Sequence, residues 1–326
     1  VDAAAELVTR TSLLANGFSD AEIRTRLRRG ELEPVTPGVY RVPVPAVWES
    51  EAFVSRSLAV AHGTNASVLS HLSAAAVWGL PLAQGTNTAQ VQLTRSRRGG
   101  GRREPRLWVH TAQLADDEVT TVSTAIGPAR ITTPARTLVD VARTAPLLTA
   151  VTVADAALHS GLCRPDALIE HFGRQDRRPG IAAARRALRL VDGRAESPPE
   201  SWVRVVFAEA GLPPSEAQVE VFDEQRRFVG RADGMIEEAG LLWEYDGQGK
   251  YRELRGERDL STVIMDEKYR QDSFTELGWL VLRIQRQDQA SPRRLVERAV
   301  RMLASRRGAP KPRGFWRPLP WRPLEL

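Results

Sequence analysis

At 326 residues, 42% of them apolar and 26% charged, the chain has room for two or three domains that each bury a core, and its composition excludes a disordered, fibrous or disulfide-stapled protein. No stretch is long and apolar enough for a membrane span, residues 1–16 lack the pattern of a secretory leader, Cys163 has no partner for an internal disulfide, and the five histidines show no metal-ligand spacing, so a cytoplasmic protein without a membrane partner is expected, with oxygen as the donor to any metal. The formal charge of +6 is uneven: residues 196–305 hold 16 basic and 21 acidic side chains, so attraction to a phosphate backbone is expected mainly from the rest of the chain.

Residues 3–16 read as a helix with Leu7, Leu14 and an alanine cluster on one side, closed by Gly17. Ser19 and Glu22 then form a capping box that opens a short helix to Arg29, with Ile23 and Leu27 on its buried stripe and Arg24, Arg26, Arg28 and Arg29 facing outward. A hairpin follows, Leu32 to Val35 and Val39 to Val42, turning at Thr36-Pro37-Gly38. Helix, turn, helix and wing over residues 1–45 are the outline of a winged helix-turn-helix, which would dock its second helix in the major groove of DNA. The same module also serves protein contacts, and basic helix faces are common. Gly17-Phe18-Ser19, Ile23, Leu27, Arg29-Gly30, Leu32 and Pro37-Gly38-Val39-Tyr40 resemble the N-terminal domain of abortive-infection (AbiEi-like) antitoxins and regulators.

Pro43 and Pro45 mark a linker into a middle region, 46–195, that is mixed α/β and then helical. Helices are expected over Ala52–His62, Ser73–Trp78, Thr133–Ala142, Leu147–His159, Pro165–Phe172 and Ile181–Val191, and strands at Val91–Leu93, Leu107–Val109 and Ala129–Thr132. Between the first two strands, Arg95 to Arg103 carries five arginines, Arg97 and Arg98 among them, around three glycines and no acid. It is either a phosphate-tracking loop or a solvated one. Ser70-His71 reads as a helix start, since no orienting acid lies near it for nucleophilic chemistry. Seven arginines between 174 and 194 lead into the acidic segment, either lining an approach to it or forming a solvated face.

In that segment Ser197-Pro198-Pro199-Glu200 opens a helix whose other face, Trp202, Val203, Val206, Phe207 and Ala210, is spaced to cover a sheet. Strands are expected at Gln218–Phe222, Phe228–Ile236 and Leu241–Tyr245, the last two joined as a hairpin through Glu237–Gly240. Side chains alternate along a strand, so Glu244 and Asp246 project to one side and Asp233 can stand beside them. Three converging carboxylates need a positive charge between them, and a hard cation, Mg²⁺ or Mn²⁺, is the usual one. A helix over Ile264–Leu277, a returning strand Trp279–Ile284 that ends near Arg283, and a closing helix Pro292–Ser305 complete it; residues 306–326 read as a basic Pro/Trp-rich tail, extended and poorly ordered. Only Lys250, Lys268 and Lys311 of the 46 basic residues are lysine, and two of these lie near the acidic motif, where lysine rather than arginine can serve as a base.

Asp233, then Glu244 two residues before Asp246, resembles the core of the PD-(D/E)xK nuclease superfamily. The run through Glu200, Arg204, Gly211-Leu212-Pro213, Gln218-Val219, Gly230-Arg231, Lys250-Tyr251, Glu267-Lys268 with Arg270, and Gly278-Trp279 to Arg283 resembles proteins grouped with very-short-patch-repair (Vsr-like) endonucleases over 196–305. That resemblance implies a restriction-endonuclease-like α/β/α domain with a mixed sheet and a divalent-metal-dependent DNA endonuclease acting in defence or repair. Asp233, Glu244 and Asp246 would hold the metal, which would polarise the scissile phosphate and activate water. Lys250 would assist proton removal, Arg283 and Lys268 would hold phosphate, and Glu200 is either a further metal-positioning carboxylate or a helix cap. Asp246 stands where the superfamily has lysine, and no proline precedes Asp233. These departures fit the alternative, an AbiEi-like antitoxin or transcriptional regulator with an inactive nuclease-like domain. DNA, a toxin or defence-system partner and a second copy in a homodimer are the partners so implied.

Overall fold

The computed structural model describes residues 6–43, 49–64, 67–96, 101–175, 177–246 and 260–326, with side chains in the last stretch from 268 onward. The protein is a multidomain α/β chain with three sheets, and its residues divide into two compact units, 1–189 with 324–326, and 190–323.

The first unit starts with strand β1 (Leu7–Thr9), helices α1 (Arg10–Ala15) and α2 (Asp20–Arg28), and strands β2 (Glu33–Thr36) and β3 (Val39–Arg41), in a three-stranded sheet of order β1-β3-β2. The helix expected from residue 3 begins only at Arg10. Thr9 is the reason: its side chain accepts from the Ser12 amide at 2.9 Å while the Ser12 hydroxyl accepts from the Thr9 amide at 3.1 Å, a reciprocal cap that fixes the helix start and leaves Leu7 and Thr9 on the inner face of a strand. Leu13, not Leu14, then packs with Ile23 and Leu32 under Phe18, Leu27 and Tyr40. The Ser19–Glu22 capping box forms as expected.

Next come α3 (Glu49–His62), β4 (Val68–Leu69), α4 (His71–Val77), β5 (Val91–Arg95), β6 (Arg102–Arg103), β7 (Leu107–Thr111), β8 (Val119–Thr124) and β9 (Gly127–Thr132). Helices α5 (Pro134–Thr144), α6 (Leu147–His159), α7 (Pro165–Arg174) and α8 (Ile181–Leu188) follow. The six strands form a mixed sheet of order β6-β7-β5-β4-β9-β8, parallel at β5/β7 and β4/β9. All three strands expected here form; β4, β6 and β8 are additional, being two residues long or rich in threonine with few apolar positions.

The second unit holds α9 (Pro198–Glu209), β10 (Glu216–Phe222), β11 (Phe228–Ile236), β12 (Leu241–Asp246), α10 (Leu260–Glu276), β13 (Leu280–Gln285), α11 (Pro292–Ser305) and β14 (Phe315–Pro318). Its mixed sheet runs β13-β12-β11-β10-β14, with β12 and β13 parallel. Val219, Val221, Ala232, Met235, Leu242 and Phe274 are fully buried in its core. The stretch expected as a loose tail adds a strand instead: Phe315 stacks on Phe222 at 4.7 Å between centroids, Arg317 pairs with Glu220 at 2.7 Å, and Leu319 donates its amide to the Gln218 carbonyl at 2.9 Å. The apolar ring and the free edge of β10 outweigh a composition that, by itself, reads as disordered.

Candidate active site

Glu200 stands one turn into α9, 5% exposed, and is held from three sides. The Ser197 hydroxyl donates to Oε1 at 2.6 Å, the Glu196 amide donates to Oε2 at 2.9 Å, and the Gln218 side-chain amide donates to Oε2 at 2.9 Å. Ser197 occupies the N-cap position but spends its hydroxyl on Glu200 rather than on a helix amide. Burial pushes the Glu200 carboxyl above its ordinary range against the Ser197 hydrogen bond, and the nearby Asp233 carboxylate adds to the rise.

Gln218 is fully buried and adopts φ +51°, a left-handed conformation in the middle of β10. The twist breaks strand alternation: Ala217, Gln218 and Val219 are all buried in succession, and the ladder to β11 pairs Ala217 with Gly234 and Val219 with Ala232, skipping the position opposite Asp233. One end of the Gln218 amide binds Glu200, whereas its carbonyl oxygen Oε1 is buried without a hydrogen-bond partner. A strained backbone that delivers an uncompensated buried acceptor is costly, by about 1–3 kcal/mol for each feature.

Asp233 on β11 accepts the Tyr245 amide at 2.7 Å, tying its carboxylate to the end of β12. Glu244 is 5% exposed, and Asp246 two residues on is half-buried, so the pair faces one side as strand alternation requires. Register with parallel β13 sets Arg283 directly beside Glu244; its guanidinium contacts Glu244 Oε2 at 3.2 Å and Asp246 Oδ1 at 2.9 Å. Arg270 of α10 reaches Glu244 Oε1 from the other side and donates to the Arg231 carbonyl at 2.9 Å. Gly230 makes that reach feasible: a Cβ there would lie 2.8 Å from the Arg270 stem and 2.9 Å from the Phe274 ring.

Four of the expected residues, Glu200, Asp233, Glu244 and Asp246, therefore lie on α9, β11 and β12 in one unit, with Arg283 between two of them. Arg283, expected as an open phosphate contact, is committed to carboxylates because a parallel neighbour strand places it against them. Lys268 is exposed on α10, and Arg24, Arg28 and Arg29 are exposed on or just after α2 in the first unit. Lys250, Arg97 and Arg98 lie outside the described residues. Among the described residues no group of three His, Cys, Asp or Glu side chains is drawn together as an ion cage. Gln218 and Arg270 acquire their places only in three dimensions. The sequence signals for Gln218 were its place in the Vsr-like run and a polar residue between Ala217 and Val219.

No family model matches the chain. It is 34% identical over 173 residues to the uncharacterized proteins Rv2248 and MT2308 of two Mycobacterium tuberculosis strains, H37Rv and CDC 1551. The match takes in 53% of this chain and 61% of each relative, so the chain spans about three-fifths of the curated relatives' length. The crystal structure of the Rv2827C protein from Mycobacterium tuberculosis aligns with 61% of this chain and 75% of its own at a TM-score of 0.36 and 19% identity, a likeness too shallow to carry an argument. Among the described residues no helix is long and apolar enough to cross a membrane.

Proposed function

We propose that the protein is a divalent-metal-dependent endonuclease that hydrolyses DNA phosphodiester bonds, with residues 196–305 as a PD-(D/E)xK-type catalytic domain, α1 to β3 as a winged helix that targets DNA, and a setting in defence or repair. The observation that carries the reading is Gln218. A left-handed glutamine with an orphaned, buried carbonyl oxygen beside a carboxyl of raised pKa is the kind of stored strain that functional sites carry.

The donor set suits Mg²⁺ or Mn²⁺ in kind, since Asp233, Glu244 and the Gln218 Oε1 offer hard oxygen atoms and Glu200 adds a further carboxylate. When bound, such an ion would supply Lewis-acid polarisation of a phosphate oxygen. Asp233 and Glu244 are the residues that would hold it, with Asp246 in support. Glu244 would hold the ion in place of at least one of its two arginines, whose guanidinium would then be available to a substrate phosphate. Glu200, through its hydrogen bond to Gln218, positions that carbonyl oxygen and can hold a proton more readily than an ordinary carboxylate. Lys250 keeps its proposed part in moving a proton from water. Supercoiled plasmid incubated with Mn²⁺, Mg²⁺ or EDTA tests the whole: metal-dependent nicking is expected, with loss of at least about 100-fold in Asp233→Ala and Glu244→Ala while DNA binding persists. Undiminished cleavage by either variant would remove that residue from the site.

A second reading has its own support. Asp246 stands at the superfamily's lysine position, and Arg270 and Arg283 already neutralise Glu244, an arrangement suited to an inactive domain in an AbiEi-like antitoxin or regulator, acting with a toxin partner or as a homodimer. It predicts saturable operator binding that EDTA leaves unchanged.

A further inference from the structure

The first unit carries a row of arginines with too few carboxylates to match. On β3, Arg41 pairs with Glu33. The hairpin β2–β3 packs through β2 against α3, and α3 presents Arg56, whose guanidinium donates to the Thr88 carbonyl at 2.8 Å. Thr88 in turn donates its hydroxyl to Glu49 at 3.0 Å. Burial, and then the positive charges of Arg106 and Arg41, hold the Arg56 guanidinium below its usual range, with Glu49 opposing them, so these groups share one neighbourhood.

Arg106 continues the row in the turn between β6 and β7, exposed and, among the described residues, with no carboxylate at ion-pair distance. On the edge strand β6, Arg102 pairs with Glu104, whereas Arg103 has neutral company: its Nε donates to Gln90 at 3.2 Å and its guanidinium lies 4.2 Å from the centre of the Trp108 ring. Glu33 and Glu104 are thus each taken by one arginine, and Glu49 is the carboxylate that acts on Arg56. Arg56 and Arg103, fixed in place by carbonyl, amide and indole partners, lose little freedom on meeting an anion, and exposed Arg106 adds to the same field.

We infer that this row is a binding surface for the phosphate backbone of duplex DNA, flanking the proposed winged helix and independent of base sequence. Trp108 decides against single strands: Arg103 covers it and the His110 ring packs against it at 4.3 Å, so the indole is engaged by its own chain rather than offered to a base. What remains is guanidinium alone, the chemistry of backbone contact. The inference rests on DNA being the substrate class of the proposed nuclease, not on cleavage.

The test is the salt dependence of binding by the full chain to a short duplex of arbitrary sequence, without metal. The Arg103→Gln/Arg106→Gln variant should lower the slope of log K against log salt by about 2, one for each lost phosphate contact. Its affinity should fall by the same factor on duplexes of unrelated sequence. Arg164→Gln/Arg293→Gln, an equal charge change at exposed arginines just before α7 and on α11, should leave the slope unchanged. Matching losses in both double variants would overturn the inference in favour of net charge alone. An unchanged slope in the first variant, with wild type still binding, would overturn it and spare the nuclease reading. Absence of salt-sensitive binding by wild type would overturn both, and preference for duplex RNA or for a single strand would overturn the assignment to DNA.

Discussion

Each unit buries a charged network, and the two are built on opposite principles. In the first, Arg136 is fully buried on α5 between Asp140 and Glu118, each at 2.8 Å, while Asp140 also takes Arg143 at 3.1 Å and Glu118 also accepts the Ala115 amide at 3.0 Å. Burial works against the Arg136 charge, but the two carboxylates outweigh it and raise its pKa. In the second, Glu200 and Asp233 are like charges, Gln218 is strained, and its carbonyl oxygen is left over. A closed network, with every charge answered, belongs to the architecture. An open one stores unfavourable free energy, which a fold keeps where a ligand or reaction can release it.

Near neutral pH the largest effect should come from opening the closed network. Arg136→Met strands two buried carboxylates and is expected to cost about 3–5 kcal/mol, seen as an early first transition in chemical denaturation. Acid challenges the same unit by degrees, with a cost that grows with each step down in pH. His71 and His110 stack at 3.6 Å, and burial lowers each pKa to about 3, so the folded state holds them neutral below the pH at which the unfolded chain would charge them. Stability is complete above about pH 6.5 and should fall towards pH 3 by about 1.4 kcal/mol per pH unit for each histidine; His110→Phe should halve that slope.

In the second unit, Gly230→Ala presses on Arg270 and Phe274 and should cost about 1–3 kcal/mol, with a fall in activity if the Arg270–Glu244 contact matters to the chemistry. Glu200→Gln is the sharpest contrast. A carboxyl with a raised folded pKa stabilises the fold at low pH and costs stability once ionised, so this variant should melt no earlier than wild type near neutral pH while losing about 100-fold or more in cleavage. A large loss of stability there would make the second network as architectural as the first.

Strand alternation and turn chemistry placed Asp233, Glu244 and Asp246 on the right hairpin, because those rules act over a few residues. Glu200 joined them through the motif rather than through any local rule. What escaped reading was non-local. Arg270 reaches Glu244 over a glycine 40 positions earlier in the chain, and the twist at Gln218 follows from contacts with α9 and residue 319. The short strands β4 and β6 hold too few residues to show a period, and Thr9 overrode an alanine-rich helical pattern with one side-chain cap.

The edge strand β14 gives the second unit a particular order of assembly. Residues 315–318 pair with β10, nearly a hundred positions earlier, and residue 319 contributes the amide that answers the main-chain carbonyl of Gln218. During synthesis the acidic half-site can form its hairpin and gather its arginines, yet β10 stays an open edge until residue 319 has left the ribosome. The nascent chain therefore passes through an interval in which its most strained strand is also its stickiest, and truncation before Phe315 should trap it there as a species that recruits other strands.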